Sequence, residues 1–308
     1  MTDFPILALL AGMMVAATPI LLAGIGELVV EKAGVLNLGV EGMMIVGAIC
    51  GFAVGYETQN ATLGYIGAAL GGATLSMVFG ILTQFLMTNQ VASGLALTLT
   101  GLGIAALMGQ PYIGIKGLTI GDVPLGQLAN IPVLGPVLFQ HDAMVYFSIL
   151  LVAAVWYFLR FTRAGLVLRA IGESHDAAHA LGYKVIAARL GAIAFGGACA
   201  GLGGAYLSLV RVPQWTEGMT AGAGWIALAL VVFASWRAWG VLVGAYLFGG
   251  LTALQLFLQA AGASIPIEYL SMSPYIITIV VLAVMSSGRA RAALSAPASL
   301  GTPFNATK

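Results

Sequence analysis

The chain has 308 residues, of which 60% are hydrophobic and 7% charged, whereas soluble domains carry about 25% charged residues. Twelve basic and eleven acidic residues leave a net charge of +1; so few charges cannot cover a water-soluble fold of this size, and they offer no basic face to a nucleic acid. The 42 glycines have no strict period and there are two cysteines, which excludes collagenous and disulfide-scaffold proteins and leaves a polytopic membrane protein, an all-α integral helical bundle.

A helix crosses the hydrocarbon core with about 20 mainly apolar residues. Reading apolar runs between polar breaks predicts nine spans, at 5–26, 37–56, 62–87, 91–109, 143–160, 190–210, 222–237, 239–260 and 272–287. Lys32 is the first basic residue, so the charged lead of a signal peptide is missing and the first run is expected to remain as a span. Breaks carry turn residues, such as Thr58-Gln59-Asn60 and Pro266. Cys50 and Cys199 fall inside apolar runs and read as small buried hydrophobes.

Ten of the twelve Lys and Arg fall on one set of connections, namely Lys32, Arg160, Arg163, Arg169, Lys184, Arg189, Arg237, Arg289, Arg291 and Lys308. The other set holds Lys116 and Arg211. Basic residues stay on the cytoplasmic side, which predicts an external N-terminus and a cytoplasmic C-terminus. The long connection 110–142, with Pro111, Pro124, Pro132, Pro136, Asp122 and Asp142, is then external. Residues 160–189 are then expected as a cytoplasmic loop within a transmembrane domain over 1–288, and 289–308 as a cytoplasmic tail. Inside that loop, the stretch from Glu173 to Gly182 reads as a short helix with a glycine C-cap, suited to docking on a cytoplasmic partner. Small residues four apart, as at Gly47/Gly51/Gly55, Gly67/Gly71, Gly197/Gly201 and Gly240/Gly244, predict close helix packing.

No phosphate-binding loop, nucleophile elbow or zinc-protease helix is present. His175 and His179 could share a helix face as metal ligands do, but two surface histidines on a docking helix is the simpler reading, with no third ligand nearby. Polar groups inside spans are more informative, because they are costly in lipid. Asn37 and Glu41 either line a substrate path or cap and charge the second helix at its N-terminal end. Asn89 and Gln90 open the fourth span, where Thr98 either faces a path or bonds its own backbone. Glu27 and Glu31 beside Lys32 read as interfacial, Trp225 and Trp236 as interface anchors, and Phe195 as core.

Several ordered motifs make a family resemblance. The run from Glu31 through Asn37, Gly39, Glu41, Gly42 and Gly47 resembles the opening of permease subunits of bacterial ABC importers for nucleosides and simple sugars. Asn89-Gln90 through Ser93-Gly94 resembles that family's fourth span. Arg169-Ala-Ile-Gly172-Glu173, followed by Ala177-Ala178 and Gly182, resembles its cytoplasmic coupling loop, and Gly224-Trp225 and Pro297 to Pro303 are also similar. The resemblance implies a second related permease, a cytoplasmic ATPase that binds ATP and Mg, and an external lipoprotein or periplasmic binding protein. The chain itself would hold no cofactor, catalyse no reaction and lie in the bacterial inner membrane. Carried over, Gly172, Glu173, Ala178 and Gly182 would meet the ATPase, and Asn37, Glu41 and Thr98 would lie near the substrate path. Thr98 stands where the family often has Asn, and Gly222-Ala223-Gly224 where Gly-Arg-Gly is expected. A nucleoside, with its apolar base and hydroxyls, suits a Thr/Asn and aromatic lining. A simple sugar or a branched-chain amino acid on the same architecture, and a proton-coupled carrier working through Glu41, are the alternatives.

Overall fold

The computed structural model describes residues 4–123, 131–132, 134–260, 269, 272, 276, 279–280, 283 and 296–305. The described residues are helical almost throughout: α1 (Phe4–Lys32), α2 (Val40–Thr58), α3 (Ala61–Gln84), α4 (Gln90–Gly109), α5 (Leu134–Leu138), α6 (Ala143–Phe161), α7 (Arg163–Glu173), α8 (His175–Ala180), α9 (Val185–Tyr206), α10 (Ala223–Phe233) and α11 (Ala238–Ala260). Seven of these, α1, α2, α3, α4, α6, α9 and α11, are long and apolar enough to cross a membrane.

Polar residues punctuate the bundle by capping. Asn60 Oδ1 accepts from the Thr62 and Leu63 amides at 2.9 and 3.2 Å, Asn89 Oδ1 from Ala92 at 3.0 Å, and Asp142 Oδ1 from Met144 and Val145 at 2.8 and 3.3 Å. Each satisfies amides that a helix start leaves without partners. The spans meet through glycines, as their spacing predicts. A Cβ on Gly51 would lie 2.8 Å from the Ala205 Cβ, and one on Gly64 2.9 Å from the Gly51 carbonyl oxygen. Gly47 backs directly onto Gly201. Thus α2, α3 and α9 pack backbone to backbone, the arrangement that small residues permit in lipid. Large aliphatic side chains of α1, including Leu21, Ile25 and Leu28, fill the centre with no exposure.

The sequence expectation is refined at two spans. The second begins at Val40 rather than at residue 37, with Gly39 at its N-cap. The seventh, expected over 222–237, contains an 11-residue helix, about 16 Å long and short of a full crossing. The span expected at 272–287, the break at Pro266, Pro124 in the long connection, and Arg289, Arg291 and Lys308 lie wholly or mostly outside the described residues.

A broken-helix junction and a tail-braced loop

Contacts along α9 set the depth of everything else. Arg189 Nε donates to the Ala33 carbonyl at 3.2 Å, Gly196 lies against Gly26, and Gly201 against Gly47. Gly51 lies against Ala205, so α2 runs in the same direction as α9 and starts level with about residue 194, about 8 Å beyond Arg189 at 1.5 Å per residue. The chain gets there by turning back after Lys32. Gly34 adopts φ +81, in the left-handed region that favours glycine, and residues 35–39 run into the bundle without helical structure.

Buried unpaired backbone groups are costly in lipid, and side chains from both sides satisfy this stretch. The Leu36 amide donates to Gln90 Oε1 at 2.8 Å and the Asn37 amide to Glu27 Oε1 at 3.3 Å. Thr98 Oγ1 donates to the Leu38 carbonyl at 3.1 Å, and Asn37 Oδ1 accepts from the Gly39 amide at 2.9 Å. Glu27 Oε2 and Gln90 Nε2 are buried with no hydrogen-bond partner among the described residues. Each such orphan costs about 1–3 kcal/mol, so the break is held rather than relaxed.

A second break faces the first. Beyond Tyr206 the helix continues as a π-helical turn over Leu207–Arg211. The chain then re-enters the bundle over 212–222, and α10 starts at the depth of Glu41. Glu41 is 4% exposed. Its Oε1 accepts from Thr220 Oγ1 at 2.6 Å and the Gly222 amide at 2.9 Å, and its Oε2 accepts from the Gly224 amide at 2.7 Å. A Cβ on Gly224 would fall 2.6 Å from the Glu41 backbone N and Cα, so the two helix starts touch. The carboxylate thus lies at the positive ends of two helices, α2 and α10, where a negative charge is favoured. At its other end α10 is tied to α1, because the indole Nε1 of Trp236 donates to Glu31 Oε2.

Several expectations change here. Glu27 and Glu31 are 1% exposed within the bundle, where each serves a backbone or indole donor. Trp236 is buried for the same reason, whereas Trp225 is exposed. Thr98 bonds across to Leu38 rather than back along its own helix, as Thr100 does to Ala96. Asn37 caps no helix; its Nδ2 contacts Met43 Sδ at 3.3 Å. Asn37, Glu41 and Thr98 do come together around one junction. Thr220, Gly222 and Gly224 were missed as partners of Glu41, although a carboxylate inside a span must find donors and a Gly-Ala-Gly run exposes its amides.

The connection between α6 and α9 is a folded surface. Thr162 caps α7 through the Gly165 amide at 3.0 Å, and Ser174 caps α8 through Ala177 at 3.3 Å. Gly182 closes α8 at φ +86, its amide bonding the His179 carbonyl at 2.8 Å, which is the expected glycine cap. Residues 296–305 lie across this surface. The Ser299 amide donates to the Gly172 carbonyl at 2.9 Å and its hydroxyl to the Glu173 carbonyl at 3.2 Å. Arg189 Nη1 reaches the Thr302 carbonyl at 3.3 Å. Phe304 is buried with Ile171, Ala178 and Val185, its ring edge-on to His175 and His179. Of the four residues assigned to coupling, Gly172 and Ala178 face inward and support the surface, while Glu173 and Gly182 are exposed on it. Burial and the Arg189 guanidinium, 3.3 Å from its Nδ1, hold the His175 pKa below the usual histidine value against the opposing pull of Asp176.

Residues 9–285 match the family described as branched-chain amino acid transport system / permease component, and the chain belongs to that family. It is a multi-pass membrane permease component. A Haloferax volcanii protein named "Putative glucose ABC transporter permease protein" is 42% identical, over 94% of this chain and 95% of its own. A nucleoside ABC transporter permease of Lactococcus lactis is 32% identical over 89% and 91%, and a guanosine ABC transporter permease of Bacillus subtilis 32% over 94% of each. No solved structure matches the chain.

Proposed function

We propose that this permease carries nucleosides through the membrane in an ATP-driven importer. Its partners are a second related permease, a separate cytoplasmic ATPase that binds ATP and Mg, and an external substrate-binding protein, and its site is the bacterial inner membrane. The similarity to nucleoside and guanosine permeases over about nine-tenths of the chain carries the substrate reading. A simple sugar is the second reading, favoured by the 42% identity to the glucose-named relative.

The mechanism follows from the junction. α10 is a half-helix attached at one end to Glu41 and at the other to Glu31. Broken helices at mid-depth are where transporters place their moving parts and substrate sites. Asn37, Glu41 and Thr98 act as positioning residues that hold the two helix starts beside the path. ATP binding in the partner favours one of two packings by contacting Glu173, Gly182 and their neighbours, and the brace of Gly172 on Lys32 passes the shift to α1. The surface bearing α7 and α8 is cytoplasmic in this scheme and the N-terminus external.

Uptake of labelled guanosine and uridine in cells with and without the gene, before and after ATP depletion, tests the proposal. Excess glucose and leucine serve as competitors. Gene-dependent, ATP-dependent nucleoside uptake indifferent to both competitors supports it. Displacement by glucose moves the substrate to sugars, and displacement by leucine to amino acids. Uptake that survives ATP depletion and collapses with the proton gradient overturns the ATP-driven scheme in favour of a carrier.

A further inference from the structure

The surface that carries α7 and α8 contains a cavity of about 1050 Å³ between the ends of α1, α6, α10 and α11, with α7 along one side. Four cations line it, Lys32, Arg160, Arg169 and Arg237, against one carboxylate, Glu173. Arg160, Arg169 and Arg237 make no ion pair within 4 Å among the described residues, and Arg169 Nε is buried there with no hydrogen-bond partner. Guanidinium groups that outnumber the one carboxylate among them repel one another and favour a bound anion. The wall toward the bilayer has a different character. Trp156 and Trp239 pack with ring centroids 6.1 Å apart and planes inclined at 59°, and beside them Leu166 and Val243 are 58% and 64% exposed. Indoles sit at the level of lipid headgroups, with one end apolar and the other wet. Cations above, indoles at the rim and aliphatic side chains below repeat the profile of one phospholipid molecule.

We propose that this cavity binds an anionic phospholipid of the leaflet on the α7–α8 side, its phosphate among Arg160, Arg169 and Arg237 and its acyl chains along Leu166 and Val243. Basic pockets between membrane helices hold anionic headgroups by this chemistry. The occupant bridges α6–α7 to the start of α11 and the end of α10, and therefore joins the coupling loop to the half-helix that ends at Trp236. Lipid composition then sets how firmly the two move together.

The test is native mass spectrometry of the purified full chain in detergent, with phosphatidylglycerol or phosphatidylcholine added. Phosphatidylglycerol is expected to be retained about tenfold better, and the R160Q/R169Q/R237Q variant to lose that preference while K116Q, which removes a cation from the opposite face, keeps it. A second reading works on the wild type alone: phosphatidylglycerol with brominated chains quenches tryptophan fluorescence, and W156F/W239F relieves most of the quenching. Equal retention of the two lipids, or preference surviving the triple substitution, overturns the proposal and leaves the cavity to an acidic protein segment. Displacement of phosphatidylglycerol by 50 mM inorganic phosphate also overturns it, in favour of a free-anion site.

Discussion

Glu41 shows how one residue can join two elements that are 179 positions apart. A carboxyl group buried within a membrane bundle must find donors, and Thr220, Gly222 and Gly224 supply three to this one. Replacement by Gln keeps the shape but turns an amide group toward at least one of those donors, leaving a buried donor unpaired at about 1–3 kcal/mol. E41Q is therefore expected to lower the melting midpoint and cut initial uptake several-fold, and T220V to do less, since two backbone donors remain. Because they share one junction, the double variant should be less damaging than the sum of the two; strict additivity would show that the contacts are independent. Gly224 gives a steric version of the same experiment. G224A places a methyl 2.6 Å from Glu41 Cα and is expected to abolish uptake in protein that still inserts. G103A, where a Cβ meets nothing within 4 Å, should transport normally.

At the scale of elements, what was legible depended on whether hydropathy and backbone agree. α3, α4, α6 and α11 are uninterrupted apolar helices with polar caps such as Asn60, Asn89 and Asp142, and the sequence places each of them within a few residues. Breaks at 35–39 and 212–222 are harder to see, because apolar and glycine residues fill them and a window of hydropathy passes smoothly across. Their signal lies in single polar residues without visible partners: Glu27, Glu41 and Gln90 mark where backbone needs donors or acceptors. The brace of residues 296–305 was unreadable for another reason, since Ser299, Thr302 and Phe304 make contacts more than 110 residues back in the chain that no local pattern encodes. That brace titrates. His175 takes up protons less readily when folded against Arg189 than when free, so its contribution is complete above the usual histidine pKa and is lost as pH falls through it toward the lower folded value. Lowering pH from 7.5 to 5.5 is expected to reduce the hydrogen-exchange protection of residues 296–305, measured against the unstructured rate at each pH. H175F should remove that pH dependence, and an unchanged profile in the variant would assign it to another group.

For the whole molecule, the bundle divides into a fixed and a movable part. α2, α3 and α9 are locked by backbone contact at Gly47, Gly51, Gly64 and Gly201, which leaves little room to slide, whereas α10 is short and packs along its length mainly through side chains such as Leu230 and Val231. Motion in transport is therefore expected at the Glu41 junction and the cytoplasmic ends of the helices, not within the glycine-packed core. E173R, on the exposed rim of the coupling surface, should reduce uptake and also lower the melting midpoint, because it removes the one carboxylate among Lys32, Arg160, Arg169 and Arg237; E173Q, which adds no cation, should lower the midpoint less. Orientation is checked by cysteine labelling: L181C is expected to react with a membrane-impermeant maleimide only from the cytoplasm, and I113C only from outside. The opposite pattern would invert the topology.

Residues 296–305 are synthesised after every span they lie against. Gly172, Glu173 and Phe304 can come together only when α1 to α11 have all left the ribosome. The face built from α7, α8 and residues 296–305 is therefore completed after the helices beneath it, and a nascent chain already threaded into the bilayer does not yet present that face in its final form.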